Sequence, residues 1–98
     1  MTFGWFDASE EKTFGASLAQ FFMERMPPDF DKSSKAFAKK QEELLNKMTQ
    51  QVLQFRQAHK LNIYKKAQLG NSFKWALRDA GYESEYVDQM TSWLMLRC

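Results

Sequence analysis

The chain has 98 residues, 44% of them hydrophobic and 15% aromatic, with a formal net charge of +2. That is enough apolar material for one domain with its own core, and too much for disorder over most of the length. One cysteine, Cys98, and one histidine, His59, exclude an intramolecular disulfide and a four-ligand structural zinc site.

The small net charge hides a pattern. Residues 1–33 carry three basic and six acidic side chains, residues 34–78 ten and two, and residues 79–98 one and four, so a +8 middle lies between two −3 ends. Two readings follow: the acidic ends cover the basic middle within the molecule, or the middle serves an anionic partner.

The first residues, Met1 to Phe6, hold Phe3, Trp5 and Phe6. Leaving such groups in water is costly, so the sequence predicts that they are tied down. They lack the basic region and continuous apolar run of a secretory leader, and no stretch reaches the ~20 apolar residues of a membrane span. A cytoplasmic protein is the expectation. Asp7 and Glu10 read as a variant capping box opening a helix over about 8–26. Its apolar face is Phe14, Leu18, Phe21 and Phe22, with Gly15 and Ala19 beside it, small enough for a close helix approach. An amphipathic role on a membrane is disfavoured, because the acidic flanks would be repelled by anionic lipid.

Met26-Pro27-Pro28 ends that helix. In the loop that follows, Asp29 and Asp31 resemble the opening of a calcium loop. Ser34 stands where glycine is needed, though, and Lys40 where a bidentate glutamate is needed. The two aspartates are read as complementing the dipole of the next helix. That helix, about 34–59 with Ser33 or Ser34 as N-cap, has no Gly or Pro and is the longest element. Phe37, Gln41, Leu44, Leu45, Met48, Val52, Phe55 and His59 fall within an arc of roughly 100°. This is a core stripe; the sharper reading makes part of it a dimer seam, with Gln41 setting register.

Asn62 is the predicted N-cap of a third helix over 63–80, with Gly81 closing it in the left-handed conformation. Its core stripe is Leu69, Phe73, Ala76, Leu77 and Ala80. A fourth helix over 84–96, stapled by Tyr82 and Val87, buries Tyr86, Val87, Met90, Trp93 and Leu94 on one face. Met95 and Leu96 point elsewhere, so its last turn is apolar nearly all round. The fold expected is all-α: a small four-helix, up-and-down bundle in a single domain over 1–98, built around the long central helix.

No arrangement in the sequence carries catalysis, a cofactor or a metal. His59 ends a core stripe, which suits a satisfied structural residue. Glu10–Glu11 and Glu42–Glu43 are adjacent on helices and do not face each other. The Gly81 turn has the look of a helix-turn-helix, but Glu83, Glu85 and Asp88 would be repelled from DNA.

One patch has the composition of a binding site. Tyr64, Gln68, Asn71 and Trp75 form a second stripe on the third helix, roughly opposite its core stripe, bordered by Lys74 and Arg78. Two aromatics, two amides and two cations can stack on and hydrogen-bond a peptide or a base. The competing expectation is a sandwich, with the stripe covered by Phe3, Trp5 and Phe6. The sequence therefore points to a non-enzymatic interaction or adaptor domain for an unidentified protein partner, with self-association as a homodimer. The alternative is an accessory protein that binds nucleic acid or another anionic partner through residues 34–78.

Overall fold

The computed structural model describes residues 7–98. It is all-helical, with α1 (Ser9–Arg25), α2 (Lys35–Ala58), α3 (Ile63–Asp79) and α4 (Ser84–Arg97). The predicted local chemistry sets most of the boundaries. Ser34 Oγ accepts from the Phe37 amide at 3.1 Å, and Asn62 Oδ1 from the Lys65 amide at 2.7 Å. Gly81 has φ +98°. The Gly81 and Tyr82 amides donate to the Arg78 and Leu77 carbonyls, which is the Schellman pattern. The start of α1 differs from expectation. Asp7 Oδ1 accepts from the Ser9 amide and hydroxyl, at 3.3 and 2.6 Å, and Ala8 holds the N-cap position without a side-chain bond. The carboxylate is taken up by its own turn, so no capping box forms.

Helix directions alternate along the chain, but neighbours in sequence are not all neighbours in space. α1 lies beside α3 and α2, and α4 also lies beside α3 and α2. α2 and α3, joined by a short link, therefore stand on opposite corners. The up-and-down order expected from sequence would have made them adjacent. Gly15 explains the change. A Cβ there would run into the Leu69 carbonyl oxygen and come to 3.1 Å from Ser72 Cβ. With Ala19 wholly buried one turn on, α1 lies almost backbone to backbone against α3. Ser72 Oγ seals the seam by donating to the Lys12 carbonyl at 2.6 Å. A second glycine does similar work between α3 and α4: Met95 Sδ lies 2.5 Å from the place of a Cβ on Gly70.

Leu18, Phe22, Met48, Val52, Leu69, Phe73, Leu77, Val87 and Leu94 fill the interior. Phe14, Phe21 and Phe55, expected inside, are only half-buried. Phe14 and Phe55 instead stack on each other at the open end of the α1–α2 seam, ring centroids 4.1 Å apart. Both ends of α2 are covered within the chain. Phe30 and Tyr86 pack on Phe37 at one end, and Phe14 and His59 pack on Phe55 at the other. Gln41 Oε1 accepts from the Tyr86 hydroxyl at 2.6 Å, a contact within the chain.

Tyr82 and Tyr86 are buried beside Phe22, and the Tyr82 hydroxyl donates to the Met26 carbonyl. Burial, helped by the nearby Asp29 charge, pushes the Tyr82 phenol up to about 12. Burial and then Tyr82 raise Tyr86 further. The folded form thus holds both phenols neutral above the ordinary tyrosine value near 10. Their contribution is complete below pH ~10 and is lost as pH climbs through the raised values. Urea midpoints of the wild type should be flat in this respect up to pH ~10 and then fall. Tyr82→Phe should flatten that fall, and an unchanged alkaline limb would refute the assignment.

Candidate interaction surface

The outward side of α3 carries the predicted patch. Trp75 is 55% exposed, and the Arg78 guanidinium sits over its ring, 5.0 Å from the centroid. Asn71 and Arg78 are exposed, while Tyr64 and Gln68 are half-buried. Lys74 is separated from the others. It turns to α4 and pairs with Asp88 at 3.5 Å, because one residue along a helix rotates a side chain by about 100° from Trp75. The structure thus brings Trp75, Arg78 and Asn71 together and gives Lys74 to the α3–α4 groove. The proposed cover by Phe3, Trp5 and Phe6 lies outside the described residues.

Two residues that sequence reasoning did not place at a site also project. Ile63 is 83% exposed and Leu96 85% exposed. Ile63 opens α3, and Ala67, one turn on, is exposed as well. Ile63 and Trp75 are about 18 Å apart along the helix and about 120° apart around it, so they do not share one face. Only the second half of this signal was readable in sequence: Leu96 lies off the core stripe of α4, whereas nothing in the spacing of Ile63 marks it as outward.

Of the ten cations between residues 34 and 78, Lys74 alone lies in an ion pair among the described residues. The link from the acidic C-terminal segment to Lys32 is a separate contact, Lys32 Nζ to Glu83 at 3.2 Å. At contact distance the acidic helices consume little of the basic charge, and most of it faces solvent.

A cavity of about 350 Å³ lies where Asp7, Ser9, Glu10 and Glu11 meet His59 and Lys65. His59 Nδ1 lies 2.8 Å from Glu10 Oε2, and its ring stacks on Phe55 at 4.2 Å. Ser9 lines the same space, but its hydroxyl is bonded to Asp7. Among the described residues no hydrogen bond joins Ser9 to the imidazole, so the serine is not presented as a nucleophile. Cys98 is half-buried, and burial pushes its thiol up, away from the reactive thiolate. No cluster of metal-ligating side chains occurs among the described residues, and no helix there is long and apolar enough to cross a membrane.

No protein-family model, curated protein or solved structure matches the chain.

Proposed function

We propose that the chain is a small, non-enzymatic interaction domain of the cytoplasm that docks a protein through the outward side of α3. The partner it suits carries aliphatic side chains and carboxylates. Trp75 carries this reading. A large ring half in water is costly to leave uncovered, and tryptophan and arginine dominate the energetics of protein interfaces. The Arg78 guanidinium already lies over the ring, which pre-pays part of the ordering that binding demands. The surrounding unpaired cations favour an acidic partner and speed its approach.

The same cations support a second reading, nucleic acid stacked on Trp75. A further variant, a homodimer, draws on exposed Leu96. One experiment separates the first two. The immobilised full chain is exposed to source lysate with and without nuclease, and Trp75→Ala is run beside it. In nuclease-treated lysate the variant should retain at least about fivefold less partner, with a melting temperature shifted by no more than about 2 °C. Capture that vanishes with nuclease and falls steeply with salt moves the assignment to nucleic acid. Capture indifferent to Trp75 removes the α3 face as the site.

A further inference from the structure

A groove of about 680 Å³ runs between α3 and α4. Its floor is Met95, whose thioether fills the space left by Gly70. Lys66 and Lys74 stand along its α3 edge, about 12 Å apart at 1.5 Å per residue. Leu96 rises from the α4 edge, almost wholly exposed. Thr91 Oγ1 is buried in the wall and has no hydrogen-bond partner among the described residues. Lys66 is in no ion pair among them, and the one partner of Lys74, Asp88, is shared with solvent. The groove thus pairs an adaptable apolar floor with a basic edge.

We infer that this groove receives an acidic amphipathic helix from a partner protein. Leucine-like side chains pack on Met95 and Leu96, and carboxylates face Lys66 and Lys74. The inference rests on the proposed docking of an acidic partner on α3, whose Trp75 face lies about 100° around the helix from Lys74. The seam between two antiparallel helices is a straight trough of ridges that a third helix can enter. An extended peptide would find no sheet edge with which to pair its backbone among the described residues. An apolar floor suits leucine better than phosphate.

The test uses the full chain and a fluorescein-labelled synthetic peptide of about eighteen residues, leucine at the i, i+3, i+4, i+7 positions and glutamate elsewhere. Fluorescence anisotropy should show saturable binding at ~0.15 M salt. Leu96→Ser and Lys66→Glu should each weaken it at least about tenfold. Both sites lie at the surface, so circular dichroism should show unchanged melting. Trp75→Ala should weaken the same peptide as well. If Trp75→Ala weakens it and the two groove variants do not, the groove assignment falls and the Trp75 reading stands. If the groove variants weaken it and Trp75→Ala does not, the groove stands and the α3 face falls. Absence of saturable binding overturns the inference. So does equal or tighter binding of a lysine-for-glutamate peptide, a single-stranded oligonucleotide or phosphatidylserine vesicles. A dimer in sedimentation that Leu96→Ser abolishes would show a second copy in the groove and overturn it too.

Discussion

Phe22→Ala should cost about 3–5 kcal/mol of stability. Phe22 is fully buried. Its ring lies 5.6 Å from Tyr82 and 6.1 Å from Tyr86. α1 and α4 occupy opposite corners of the bundle, so this ring ties together two helices that never approach as backbones. Truncation leaves a cavity that neither neighbour can close alone, since Tyr82 is anchored to Met26 and Tyr86 to Gln41. Urea denaturation monitored by circular dichroism gives the measurement. A loss below about 1 kcal/mol would mean that the aromatic cluster collapses freely and does not bridge the corners.

The second large effect is one where two terms compete. Gly15→Ala improves helix propensity by about 0.8–1.0 kcal/mol. Against that, the new methyl meets the Leu69 carbonyl oxygen, and Ser72 Cβ lies 3.1 Å away. Backbone cannot step aside as a flexible side chain can, so α1 and α3 must separate along their whole seam. The bond from Ser72 to the Lys12 carbonyl stretches with them. Overpacking of this kind costs about 1–3 kcal/mol, so a net loss is expected. The reverse substitution at Ala16, which is exposed on α1, Ala16→Gly, supplies the propensity term alone with opposite sign. A Gly15→Ala protein more stable than wild type would show that the seam tolerates widening.

Helices were legible because their signals are local. The Ser34 and Asn62 caps and the Gly81 turn each depend on three or four residues, and each appears where the sequence puts it. Asp7 shows the limit. A cap and an Asx turn use the same carboxylate, and which amide it takes depends on one residue of register. Ring order was not legible, because periodicity says which face is apolar and not which helix covers it. Gly15 announced a close approach without naming α3 as the partner. Within the candidate site, Trp75 and Arg78 were readable from their angle to the core stripe. Lys74 was misjudged because its partner, Asp88, is on another helix. The Gln41 contact was hidden for the same reason, its partner Tyr86 being far along the chain.

The pairing of α1 with α3 also orders the life of a newly made chain. α1 leaves the ribosome first, yet the surface it packs against, Leu69 to Ser72, is made only after α2 and the link beyond it. Until then Leu18, Ala19 and Phe22 have no lid. Long-range pairing of this sort delays folding relative to a hairpin of adjacent helices, and it leaves an apolar face open to wrong partners meanwhile. A chain cut short before Ile63 is thus not half of a folded protein. It is a helix pair whose α3-facing apolar side has no cover.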